Sequence, residues 1–193
     1  MMPTNRLEAF SDGVFAIIIT IMVLELRAPA ETTAAAPVPL LPHFGSYVLS
    51  FLYVGIYWNN HHHMFQATER VGGGVLWANL HLLFWISLFP FVTDWIGATH
   101  LGKAPTVCYG VVLEMAAIAF LILQIAIIRG EGRGSRLARA IGSEVKGKIS
   151  AVLYAIAIVV AFYYPPASAA LYVIVALMWL VPDRRIERTM TET

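Results

Sequence analysis

Arg6-Leu7-Glu8-Ala9-Phe10-Ser11-Asp12-Gly13-Val14-Phe15-Ala16-Ile17-Ile18-Ile19-Thr20-Ile21-Met22-Val23-Leu24-Glu25-Leu26 decides the fold of this chain, because it is a membrane-length helix that carries charge where a lipid-facing helix should not. A charge at bilayer depth costs ~2.5 kcal/mol or more, so ionisable groups there face a protein interior or a water-filled path. Arg6, Asp12 and Glu25 therefore need partners, and the helix is read as internal. Between Asp12 and Glu25 the run is uncharged and mostly Ile, Val and Leu, which is shorter than a full bilayer crossing.

The rest of the chain follows suit. With 193 residues, 59% hydrophobic and 13% charged, and a mean hydropathy of +0.70, it is too apolar for a soluble core and reads as an integral, all-α membrane protein. A hydrocarbon core demands about 20 apolar residues per helix, with every backbone group satisfied inside it. Six spans fit, near residues 5–26, 44–66, 71–97, 105–128, 147–164 and 166–181, and residues 1–193 form one six-helix domain. The first run has acidic interruptions and no small-residue cleavage site, so it is expected to stay in the mature chain.

Of the 13 Lys and Arg, only Arg27 and Lys103 lie in the connections after the first and third spans. The other eleven, from Arg6 and Arg70 through the basic stretch Arg129–Lys148 to Arg184, Arg185 and Arg188, share the opposite side. Positive charge marks the cytoplasmic face, so both termini are expected there. The Ala-, Pro- and Thr-rich segment 28–42 forms an outer loop, Gly72-Gly73-Gly74 a tight inner turn, and residues 130–146 a cytoplasmic linker with a short helix.

Several polar groups sit within the spans. At 100° per residue, Gly13, Ile17, Ile21 and Leu24 fall within about 40° of one line, with Thr20 on its flank. Asp12 projects roughly 140° from Ile17, back toward the protein. The stripe lines a path or forms an ordinary apolar packing seam, and helical geometry alone leaves both open. Span two ends Tyr57-Trp58-Asn59-Asn60-His61-His62-His63. Consecutive helical residues diverge by 100°, so three neighbouring imidazoles do not converge on one metal, and their expected role is hydrogen bonding to carboxylates or carbonyls. Span three carries Asn79, His81 and Ser87 at membrane depth and is kinked by Pro90. Asp94 falls at the outer interface and Glu114 within span four. The lone Cys108 gives no disulfide or thiolate cluster, and nothing assembles a nucleophile, base and oxyanion donor, so an enzyme is not expected.

Three of these motifs together resemble one family. Arg6-x-x-x-Phe10-Ser11-Asp12, Trp58-x-x-His61-His62, and Asn79 through Ile86-Ser87-Leu88-Phe89-Pro90-Phe91 are similar to the first-, second- and third-helix signatures of the transmembrane protein 175 potassium channels, in their single-repeat prokaryotic form. They cover about the first half of the chain; spans four to six match in number and hydropathy. The resemblance implies a six-helix subunit of a homotetramer in the plasma membrane of a prokaryote, with a central pore lined by the first helix and conducting potassium and other monovalent cations passively. It further implies that Ile17 is the main hydrophobic constriction, that Ile21 and Leu24 are further narrow layers, and that the Thr20 hydroxyl contributes to ion preference. Arg6, Ser11, Asp12, Trp58, His61 and His62, with Asn79, then form the hydrogen-bond network that holds the pore helix.

The chain contains no Thr-Val-Gly-Tyr-Gly-like loop, so selectivity by a ring of backbone carbonyls has no substrate here. No cofactor, metal or nucleic acid is expected; the bilayer and the permeant ion are the partners. The competing reading is a secondary transporter coupled through Asp12, Glu25 or Glu114, which inverted repeats and broken helices would favour.

Overall fold

The computed structural model describes residues 2–30, 32–68, 70–132 and 145–180. Its helices are α1 (Thr4–Leu24), α2 (Leu41–Gln66), α3 (Gly73–Ser87), α4 (Phe89–Ala98), α5 (Lys103–Glu131), α6 (Val145–Ala161) and α7 (Pro165–Leu180). The stretches Thr4–Leu24, Val38–Gln66, Gly73–Ala98 and Lys103–Glu131 are each long and apolar enough to cross a membrane. The last two helices, with 17 and 16 described residues, are shorter. Most of the basic linker expected at 130–146 lies outside the described residues.

The third span is two helices rather than one kinked helix, and Pro90 explains the break. Proline has no N–H and its ring crowds the preceding turn. The helix ends at Leu88 and restarts with Pro90 in the first turn of α4, where a missing donor costs nothing. Each half is thereby free to face a different neighbour: α3 packs mainly on α5, and α4 mainly on α2. Beyond α5, the hairpin α6–α7 closes the far side, with α7 also reaching α2.

Hydroxyl groups bracket this core. Thr93 Oγ1 donates to Ser50 Oγ at 2.6 Å, and Ser50 Oγ lies 2.9 Å from Tyr109 OH, joining α4, α2 and α5. Tyr53 OH donates to the Tyr172 carbonyl at 2.6 Å and Tyr172 OH to the Thr106 carbonyl at 3.1 Å, joining α2, α7 and α5. Near the start of α2, His43 Nε2 stands 3.2 Å from Asp94 Oδ1 of α4.

The close approach of α5 and α7 requires Gly110. A methyl group there would run into the Tyr172 hydroxyl and come within 2.8 Å of Ile158 Cγ1. Gly110→Ala is therefore expected to lower subunit stability by ~1–3 kcal/mol through overpacking, read as a lower thermal midpoint in detergent. An unchanged midpoint would show that α7 yields freely.

Candidate functional site: the first helix and its polar anchor

The two faces of α1 differ completely. Thr4, Leu7, Ser11, Phe15, Ile18 and Met22 are buried, spaced three and four residues apart as one helical face requires. On the opposite face Ile17, Ile21 and Leu24 are 58%, 40% and 78% exposed, and Gly13, Ala16 and Thr20 are exposed beside them. The stripe is therefore no packing seam within the subunit: α1 is anchored against α2, α3 and α4 by its other side.

Thr20 Oγ1 donates to the Ile17 carbonyl at 2.8 Å. Its proton is committed to the backbone, so toward the free side the hydroxyl offers only lone pairs, the polarity that a cation takes. The bond also fixes a side chain that would otherwise rotate.

The anchor runs antiparallel along α1 and α2. Met2 and Pro3 pair with Val71 and Arg70 in a short antiparallel bridge, and Thr4 Oγ1 donates to the Thr68 carbonyl at 3.0 Å. One turn further, Glu8 Oε1 stands 2.9 Å from His62 Nδ1, while Gln66 Nε2 lies 2.8 Å from His62 Nε2. A turn beyond that, Trp58 Nε1 donates to Asp12 Oδ1 at 2.9 Å. The Trp58 and His62 rings stack with 15° between their planes, as expected four residues apart on one face.

Beneath this ladder lies a buried relay of fixed direction. Ser11 Oγ donates to the Leu7 carbonyl at 2.8 Å, so it must accept from Asn79 Nδ2, 2.9 Å away. The Asn79 oxygen then faces His61 Nε2 at 2.8 Å, and that nitrogen carries the proton. His61, Asn79 and Ser11 are all fully buried, and Phe15 closes over the imidazole edge-on at 5.6 Å.

Ser11, Asp12, Trp58, His61, His62 and Asn79 thus come together, and the histidines diverge, His61 toward α3 and His62 toward α1. Arg6 does not join them. It is exposed, lies eleven residues from Ile17 and so within about 20° of the stripe, and has no hydrogen bond or ion pair among the described residues. The partner of Asp12 is Trp58 rather than a cation. Sequence reasoning missed Glu8 and the Thr4–Thr68 clip. The visible signal for Glu8 was its spacing: four residues before Asp12, as His62 is four after Trp58.

With the anchored and free faces of α1 defined, the comparisons with known proteins become specific. A family model described as endosomal/lysosomal potassium channel TMEM175 matches residues 6–90, the segment holding the anchor from Glu8 to Asn79. A potassium channel of Chryseobacterium sp. (strain P1-3) is 54% identical over 191 residues, 99% of this chain and 100% of that protein. The chain belongs to the TMEM175 family. A potassium channel of Streptomyces collinus is 34% identical over 134 residues, 64% of each chain. The crystal structure of a lysosomal potassium-selective channel TMEM175 homolog from Chamaesiphon minutus superposes with a TM-score of 0.80 at 25% identity, covering 92% of this chain and 96% of that one. The TMEM175 likeness thus extends past α3 to the short hairpin α6–α7, where the family model does not reach.

Proposed function

We propose that this chain is one subunit of a homotetrameric, potassium-preferring cation channel in a prokaryotic plasma membrane, with both termini in the cytoplasm. Ions pass along the free faces of four α1 helices. Ile17 forms the principal apolar constriction, Ile21 and Leu24 line further layers outward, and the Thr20 oxygen faces the path between them. A narrow apolar ring dewets and blocks ions until slight widening rehydrates it. The observation that carries this reading is the continuous exposed stripe on a helix whose other face is buried against the subunit. The family's potassium channels support the ion.

One helix walls only part of a pore, and cyclic closure is the normal route for a homo-oligomer. The test is current through a planar bilayer reconstituted with purified protein, under bi-ionic potassium and sodium, with native mass spectrometry of the same sample. A reversal potential favouring potassium, from complexes of four 21.3 kDa chains, is expected. A monomer that moves ions at transporter rates would put the coupled-transport reading first.

Thr20→Val preserves volume and removes the hydroxyl. It is expected to shift the bi-ionic reversal potential while leaving the oligomer intact. An unchanged potential removes Thr20 from the selectivity argument.

A further inference from the structure

We propose that α1 is a lever hinged at its cytoplasmic end, with residues 2–12 fixed to the subunit and residues 13–24, which carry the constriction, free to swing. The proposal rests on the reading of α1 as the pore-lining helix and concerns how that helix moves.

The distribution of directional contacts carries it. Among the described residues, every long-range polar attachment of this segment falls at or before Asp12, in the first half of the helix: the Met2–Val71 bridge, the Thr4–Thr68 clip, and the hydrogen bonds of Ser11 to Asn79 and Asp12 to Trp58, with the ion contact of Glu8 to His62 beside them. Hydrogen bonds hold a narrow geometry, weakening steeply off-line. Beyond Asp12, the one side-chain hydrogen bond among the described residues is that of Thr20 to its own helix. The buried groups there, Phe15, Ile18 and Met22, make apolar contacts, which are non-directional and tolerate sliding.

The outer end is equally untied. None of the described residues from Val23 to Leu49 is buried, so the segment after α1 runs over the surface before α2 enters the core at Ser50. Gly13 stands at the junction of the fixed and free parts, where a Cβ would meet nothing within 4 Å; its absence lowers local helix stiffness without opening a packing hole.

A hinge near Gly13 orders the layers. With a rise of about 1.5 Å per residue, Ile17 lies roughly 6 Å and Leu24 about 16 Å from the hinge. A small outward tilt therefore moves the Leu24 ring nearly three times as far as the Ile17 ring. The path widens from its outer end inward, and the Ile17 ring wets last.

Spin-label distance measurement in nanodiscs tests this. Labels are placed at Ala9→Cys, on the fixed part, and Val23→Cys, on the free part, in full-length protein carrying Cys108→Ser. Both sites are exposed, and fourteen residues apart they lie within about 40° of one azimuth. Labelled subunits are diluted with unlabelled ones so that pairs dominate. The inter-subunit distribution at position 23 is expected to be at least about twice as wide as at position 9, and Thr4→Val with Ser11→Ala should widen position 9 toward position 23. Equal widths, a wider distribution at position 9, or no response to the double substitution overturns the lever. The mean distances report separately on the pore reading: short means at both positions keep α1 central whichever way the widths fall, whereas long means displace it from the axis.

Discussion

Ile17→Asn is expected to raise cation flux through reconstituted channels by at least about tenfold, with the oligomer unchanged. Ile17 is 58% exposed in the subunit and lies away from the buried face of α1, so the substitution leaves that face intact. It replaces an apolar wall by an amide that hydrogen-bonds water and so favours a wetted layer. In the proposed tetramer four such side chains stand in one ring, and lowering the wetting barrier by only about 1.4 kcal/mol is a tenfold change in rate. The check is potassium efflux from loaded liposomes, normalised to the amount of assembled protein. Unchanged efflux from an intact oligomer would remove Ile17 as the gate.

That prediction was legible in the sequence because period and charge spoke together. The apolar stripe of α1 marked the face that the structure leaves exposed, though its period alone did not choose between a path and a packing seam, and hydropathy marked the long apolar helices. Pro90 gave a bend but not a clean break, since a proline alone does not say whether the neighbouring helices pull the two halves apart; here α5 takes one and α2 the other. The polar partners were less legible. Asp12 ends on an indole N–H, and nothing in a sequence chooses Trp58 over a histidine one turn away, because that choice depends on the antiparallel register of α1 and α2. The tyrosine brackets around Ser50 were invisible for the same reason: Tyr53, Tyr109 and Tyr172 read as aromatic bulk until the helices are placed. Arg6, grouped with the anchor by the resemblance, stands on the stripe side, as its eleven-residue spacing from Ile17 already required.

Asn79→Ala should give the opposite signature: loss of folded, assembled protein before any change in conduction. Asn79 is fully buried and is the link between His61 and Ser11. The favourable part of each lost interhelical bond is small, averaging ~0.6 kcal/mol within membranes. The groups left behind decide the outcome. His61 Nε2–H loses its acceptor and the Ser11 oxygen its donor in a site closed by Phe15 and Phe65, and each orphaned buried group costs ~1–3 kcal/mol. The sum, a few kcal/mol, is a large part of a typical domain's stability of about 5–15 kcal/mol. Thermal unfolding monitored by size-exclusion of the detergent-solubilised protein should show a clearly lower midpoint. Because the penalty lies in stranded polar atoms rather than lost volume, the triple variant Asn79→Ala, His61→Phe and Ser11→Ala, which removes the stranded partners, should recover much of it. A single variant as stable as the parent would mean that water or a neighbouring group satisfies His61 and Ser11. A triple variant no better than the single would assign the loss to packing against α3 instead, and the anchor would then owe its strength to shape rather than to hydrogen bonding.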